Sequence, residues 1–313
     1  MGGVREILDT VLPVFLVIGV GYGLRRGRFF GPEAEALLSR FVFYVPTPAL
    51  LFRSVATVPL RETVRPVALG AIVAVTVLLA FAVYAGAARL SPARRGVVAQ
   101  GAHRSNMVFV GLPVIINAHG AEAVAPAAVL IGCMVVVYNL LGVVVLVLPH
   151  HRQGDGFGAL RRRTLLEFLR NPLILASGVG LLFSGWGLAL PVAVDRSLDL
   201  VGEIAMPLAL IAVGVGLDFG RLRAELLVAA LVGALKLVVY PALVFAALYA
   251  TGSRDTYLAM AVLVLASPTA VVSYVMAQEM KGDAALAASI VIGTTLASLV
   301  TLAGWLAVLR LVL

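Results

Sequence analysis

Long apolar runs, each bounded by arginine clusters or by Gly and Pro, recur along the whole chain. A helix crossing the hydrocarbon core of a bilayer needs about 20 mainly apolar residues. It also satisfies its own backbone hydrogen bonds, which lipid cannot do for it. Cutting the 313-residue chain at charge and Gly/Pro clusters gives ten such segments. They run roughly 7–24, 36–58, 66–90, 96–117, 122–148, 172–190, 199–217, 224–250, 256–278 and 284–309. The runs are continuous rather than alternating, which argues against a β-barrel. With 61% hydrophobic and 13% charged residues, the chain holds more apolar surface than a soluble core of this length can bury. A soluble enzyme, a disordered chain and a nucleic-acid-binding domain are excluded. What remains is an all-α polytopic membrane protein with the lipid bilayer as its solvent.

The net charge of +8 is then loop charge that sets orientation, not the footprint of a nucleic acid. Of the 24 basic residues, 14 fall in loops after odd-numbered spans: Arg25, Arg26, Arg28, Arg89, Arg94, Arg95, Arg152, Arg161, Arg162, Arg163, Arg170, Arg221, Arg223 and Lys281. Six fall on the opposite side: Arg5, Arg61, Arg65, Arg196, Arg254 and Arg310. The first side is expected to be cytoplasmic, which puts both termini outside a cell membrane (plasma or inner) and the long central loop in the cytoplasm. One cysteine, Cys133, allows no intramolecular disulfide, and scattered histidines offer no structural zinc site. Glu6 stands where a myristoylation signal needs Ser or Thr, and no cleaved signal peptide is expected.

The central basic stretch divides the chain into 1–148, a linker at 149–171, and 172–313, each half holding five spans. Pro13, Gly19 and Gly21 match Pro172, Gly178 and Gly180 at a spacing of 159 residues, and Pro48 matches Pro207 at the same spacing. An odd number of helices per half requires inverted topology, the pattern of secondary transporters. Proline inside a span removes a backbone hydrogen bond. The fourth span carries Asn106-Met-Val-Phe-Val110-Gly111-Leu112-Pro113, and the ninth carries Ser267-Pro268-Thr269-Ala-Val-Val-Ser273. These equivalent breaks point to a shared midplane site, whose half-helix N-termini favour an anion. Simple kinks in two membrane helices are the alternative.

Those two stretches resemble motifs of the auxin efflux carrier family, which includes the plant PIN proteins and bacterial permeases. Asn106 to Pro113 is similar to its N-x-x-x-x-G-[IL]-P, and Pro268 to Glu279 to its second crossover. Leu12-Pro13, Phe43 to Phe52 and Met206 to Gly214 are weaker matches, and together the likeness covers nearly the whole chain. It implies ten helices in an inverted five-plus-five repeat, with helices 4 and 9 crossing at the substrate site. It also implies export or exchange of organic anions, malate or malonate among them, and a substrate-binding role for the matching Asn106. The family also places polar side chains facing the site where Tyr138 and Asn139 stand.

On physical grounds too, the Asn106 amide can donate to a carboxylate without the desolvation cost of a charge. Thr269 and Ser273 can turn hydroxyls to substrate, or bond back to their own helix. Arg104 either attracts a carboxylate or sits near the cytoplasmic mouth. Lys236, central in the eighth span, is either a substrate counter-ion or the partner of a buried acid. Arg40 and Arg53 near span ends can snorkel. Deep carboxylates are scarce and His103 is the nearest titratable group. Coupling to H+, coupling to Na+ held by carbonyls at the breaks, and uniport all stand; no cofactor or metal is expected. The leading function is a secondary transporter of small organic anions working by alternating access, with helices 1, 2, 6 and 7 as scaffold. A membrane sensor that binds an anion without moving it is the alternative, and an intramembrane enzyme lacks its motifs. Glycines in helices 1 and 6 permit close packing in a homodimer.

Overall fold

The computed structural model describes residues 2–31, 33–57, 65–120, 123–150 and 170–312. Arg61 and residues 151–169, nearly all of the expected linker with Arg152, Arg161, Arg162 and Arg163, lie outside them. The described residues are helical almost throughout. In chain order the helices are α1 (Gly2–Arg26), α2 (Ala34–Tyr44), α3 (Pro46–Ala56), α4 (Pro66–Gly86), α5 (Pro92–His103), α6 (Leu112–His119), α7 (Val124–Val147) and α8 (Pro172–Trp186). There follow α9 (Val192–Glu203), α10 (Ala205–Gly216), α11 (Phe219–Ala224), α12 (Leu226–Ala234), α13 (Tyr240–Ala250), α14 (Thr256–Leu265), α15 (Val272–Glu279) and α16 (Ala284–Val312).

Among the described residues six stretches are long and apolar enough to cross a membrane: Ala34–Ala56, Pro66–Gly86, Pro126–Val147, Val192–Gly216, Leu226–Ala250 and Ala284–Val312. Three shorter apolar helices, Met107–Ile116, Pro172–Trp186 and Thr256–Leu265, accompany them. Length decides what the shortest can do. The ten residues of α14 rise about 15 Å, half the hydrocarbon thickness. Tyr257 to Leu265 are all buried, so α14 ends inside the protein rather than at a membrane surface.

Prolines set several helix starts. Pro46, Pro66, Pro92 and Pro172 stand in the first turns of α3, α4, α5 and α8, where a missing N–H costs nothing. Asn171 caps α8, its side-chain oxygen accepting from the backbone N–H of Leu173 at 3.0 Å and Ile174 at 3.4 Å. Gly187 ends α8 in the left-handed conformation (φ +67°).

Close helix contact explains the repeated glycines. A Cβ on Gly180 would lie 2.9 Å from the Phe52 carbonyl oxygen, so α8 packs backbone-to-backbone on α3. A Cβ on Gly21 would overlap the Ile211 carbonyl oxygen, so α1 packs likewise on α10. Gly21 and Gly180 are thus used within the chain, whereas Gly19, Gly23 and Gly178 meet nothing within 4 Å. On the facing helix, a Cβ on Gly214 would overlap the Ile18 carbonyl oxygen. That atom is backbone and cannot rotate aside. Gly214→Ala is therefore expected to cost about 3 kcal/mol of stability, read as a lowered melting temperature, while Gly19→Ala leaves it unchanged. Equal melting of the two variants would contradict this packing.

Ion pairs add to this frame. Arg53 is ion-paired at the surface: its Nε donates to Asp195 at 2.7 Å and its Nη1 to Asp199 at 2.6 Å, tying α3 to α9. Arg94 makes a two-pronged contact with Glu225, 2.6 Å on each arm, and joins α5 to the segment before α12.

Candidate functional site

Two interrupted helical paths meet in the interior. The first stops at His103 and resumes through a wide π turn at Met107–Gly111 and then α6. The second stops at Leu265 and resumes at Val272. Between them the residues flanking Ser105 and Thr269 run antiparallel, joined by Asn106 N–H to the Pro268 carbonyl at 2.7 Å and Ala270 N–H to the Arg104 carbonyl at 3.0 Å. Backbone groups freed by each break are thus satisfied by the other. The side chains repeat this exchange. Ser105 Oγ donates to the Leu265 carbonyl at 2.9 Å, and Thr269 Oγ1 donates to the Gly101 carbonyl at 2.8 Å.

Pro113 lies just past this crossing. It stands in the first turn of α6, where it starts the helix instead of breaking it. The interruption is at 104–106, upstream of the proline. Pro268 does sit in its break, where it has no N–H to leave orphaned and offers its carbonyl to Asn106. Gly111 lets the π turn approach α14, since a Cβ there would lie 3.2 Å from Val264.

A small cavity of about 70 Å³ opens beside the crossing. Arg104, Ser105, Asn106 and Tyr138 give it a polar side, and Leu51 of α3 and Met206 of α10 face them with apolar surface. Asn106 is 6% exposed. Among the described residues its side-chain amide has no hydrogen-bond partner, which leaves both its donor and its acceptor to the cavity. Arg104 is buried and directed into α7, where Nη1 donates to the Tyr138 carbonyl at 2.9 Å and Nη2 to Asn139 Oδ1 at 2.8 Å.

The other expected residues divide between the cavity and its support. Tyr138 lines the cavity and donates its hydroxyl to Ser105 Oγ at 3.1 Å. Its oxygen is also 3.0 Å from the Tyr240 hydroxyl, which lies 2.7 Å from Thr76 Oγ1. Asn139 is fully used, accepting from Arg104 and donating to Ser177 Oγ of α8 at 3.0 Å. Ser267 donates back to the Val264 carbonyl at 2.7 Å. Ser273 is buried with no partner for its hydroxyl among the described residues. Neither it nor Thr269, Val110, Leu112 or Pro113 lines the cavity.

Lys236 does not reach the cavity either. It is fully buried on a second π turn, Leu235–Val239, and its Nζ donates to the Leu265 carbonyl at 2.7 Å. The partner is neither an acid nor an open site but the backbone carbonyl at the buried end of α14. Trp305 of α16 pins the same turn, its Nε1 donating to the Leu237 carbonyl at 2.8 Å. Among the described residues neither Arg104 nor Lys236 has a carboxylate partner. An interior with two basic groups and no facing acid attracts an anion.

Sequence reasoning missed Glu35 and Tyr274. The Tyr274 hydroxyl donates to Glu35 Oε1 at 2.6 Å and lies 3.3 Å from the Ala212 carbonyl, joining α15 to α2 and α10. No spacing rule links positions so far apart in the chain.

Comparison with known proteins gives the same outline. A family model described as "Membrane transport protein" matches residues 6–306. An "Uncharacterized transporter" of Methanothermobacter thermautotrophicus is 29% identical over 308 residues, covering 96% of this chain and 98% of the relative. A "Putative malonate transporter" of Rhizobium meliloti is 28% identical over 314 residues, covering 97% of this chain and 96% of the relative. An uncharacterized transporter of Methanocaldococcus jannaschii is 24% identical over 307 residues, with 95% and 97% covered.

Proposed function

The chain belongs to the membrane transport protein family, multi-pass carriers rather than enzymes and the PIN-like group its motifs resemble, and on that premise we propose that it carries small organic anions by alternating access. The observation that carries this is the unpaired Asn106 amide facing a small cavity beside a buried guanidinium with no carboxylate partner among the described residues. A short mono- or dicarboxylate suits that chemistry, since it takes hydrogen bonds from the amide and balances the charge. Malonate is the first candidate, because a relative over nearly the whole chain carries that substrate in its name.

An inverted five-plus-five repeat of ten spans, with 149–171 as its linker, is supported by contacts that recur at fixed spacings. Gly21 meets Ile211 and Gly180 meets Phe52, and both the glycines and their partners are 159 residues apart. Ser105 with Leu265 and Thr269 with Gly101 are exchanged in the same way at a spacing of 164, as are the touching hydroxyls of Thr76 and Tyr240. The first spacing joins α1, α3, α8 and α10, which we take as scaffold together with α2 and α9. The second joins the helices that carry the crossing. The cavity lies between the two sets, with polar atoms from one and apolar surface from the other. Sliding one set along the other exposes Asn106 to alternate sides.

Both termini are placed outside and the linker in the cytoplasm, following the arginine distribution. Gly19, Gly23 and Gly178 leave faces of α1 and α8 open to a second copy in a homodimer.

Counterflow in proteoliposomes tests the function. Vesicles loaded with unlabelled malonate should accumulate labelled malonate transiently against its gradient, and neutral malonamide should not support this. Saturable binding without counterflow, across a panel of mono- and dicarboxylates, would favour an anion sensor instead.

A further inference from the structure

The half-helices α6 and α14 have their inner ends at the crossing, and their other ends meet at a second cavity. This cleft, about 420 Å³ in volume, lies where α6 ends, α14 begins and α16 ends. Its volume is within the range of small-molecule sites. His119, Arg254, Asp255, Thr256 and Arg310 line its rim, and Leu263 belongs to its apolar wall.

The charges are what single it out. Among the described residues Asp255 is the only acid lining the cleft, and Arg65 takes one of its oxygens at 2.5 Å. Arg65 also lies over the Tyr257 ring, 4.8 Å from its centre. Arg254 stacks on Tyr249 at 4.4 Å, an aromatic contact that leaves its N–H groups free to take an anion. Among the described residues neither Arg254 nor Arg310 has a carboxylate partner. Arg65, Arg254 and Arg310 are half of the six basic residues assigned by sequence to the charge-poor side. Distant in sequence, Arg254 and Arg310 both line this one cleft, and Arg65 holds its Asp255. Scattered loop charge has no reason to gather this way, whereas recognition of an oxyanion does.

We propose that this cleft is a second anion site, separate from the crossing, that takes a carboxylate or phosphate oxyanion between Arg254 and Arg310 with the His119 ring as a third contact. Its ligand bridges α6, α14 and α16. Through the first two it acts on the same half-helices whose inner ends form the crossing. The oxyanion is supplied either by a soluble dicarboxylate or by the phosphate of an anionic lipid headgroup. The site does not depend on what the crossing carries.

The test uses the full chain in nanodiscs of phosphatidylcholine, titrated with malonate by calorimetry, and in nanodiscs containing phosphatidylglycerol, read by native mass spectrometry. The variants are Arg254→Gln with Arg310→Gln, which keep length and hydrogen-bonding capacity, and Arg254→Lys with Arg310→Lys, which keep charge. In one arm, malonate binds wild type in a class that survives in Asn106→Ala and is weakened at least about tenfold in the double Gln variant. In the other, wild type retains phosphatidylglycerol and the double Gln variant does not. Either result, with partial recovery in the double Lys variant and unchanged melting without ligand, supports the site and names its source. If the double Gln variant melts as wild type, binds malonate with wild-type affinity and stoichiometry and retains phosphatidylglycerol equally, the site does not exist. Loss of one malonate class in Asn106→Ala with the other kept bears on the crossing alone, whereas loss of all malonate binding there overturns the soluble-ligand arm.

Discussion

Asn106→Ala is expected to raise the KM for malonate counterflow roughly 10- to 100-fold, the loss of a hydrogen bond to a charged partner. Melting temperature should scarcely move. The two effects separate because the amide makes no hydrogen bond within the chain, among the described residues, that its removal would break. Asn106 contributes to the crossing through its backbone, which bonds to Pro268 and accepts from Val110 and Gly111, and alanine keeps all three. Asn106→Asp distinguishes a donor from a spacer. It preserves shape but sets a carboxylate beside the cavity, so it should transport more weakly than the alanine variant. Wild-type counterflow in Asn106→Ala would move the binding site away from the crossing.

Much of the fold was legible because lipid imposes simple rules. A span must be apolar and helical over about 20 residues, so apolar runs can be marked without knowing how they pack; among the described residues six are long enough to cross and three shorter apolar helices accompany them. The site was legible in part. Asn106, Arg104 and Tyr138 all line the cavity, and the two breaks do meet. Thr269, Ser267 and Asn139 are bonded within the protein instead: Thr269 across the crossing to Gly101, Ser267 back to Val264, and Asn139 to Arg104 and Ser177. A hydroxyl or an amide announces hydrogen bonding but not its direction, and near a broken helix backbone carbonyls compete with any ligand.

The residue spacings show why pattern reading stopped where it did. The spacing of 159 was found from the glycines and prolines of the scaffold, because close helix contact requires those residue types. The crossing follows a spacing of 164 and uses unlike pairs, Ser105 with Thr269 and Thr76 with Tyr240. Neither the spacing nor the residue identity carries over, so these pairs come to notice only through their contacts.

Lys236 is the residue whose partner no sequence rule could supply, since a search for a counter-ion looks for an acid and Lys236 binds a carbonyl. Where α14 stops, the Leu265 carbonyl has lost its helical partner and accepts from Lys236 at 2.7 Å and Ser105 at 2.9 Å. Carbonyls at such breaks are where transporters commonly hold a sodium ion. Here a tethered amine occupies the carbonyl, and transport is expected to run equally fast in sodium, potassium and choline media. Lys236→Met fills the same slot without a donor. Leaving a buried carbonyl half-satisfied costs about 1–3 kcal/mol, offset in part because a lone buried charge is itself expensive. Stability should therefore change little. Transport should fall more than about tenfold, because the end of α14 is no longer held against the crossing. Added sodium should restore part of the rate in Lys236→Met and none in wild type. A wild-type rate that needs sodium, or a Lys236→Met variant at full rate in choline, would show that the amine does not substitute for the ion.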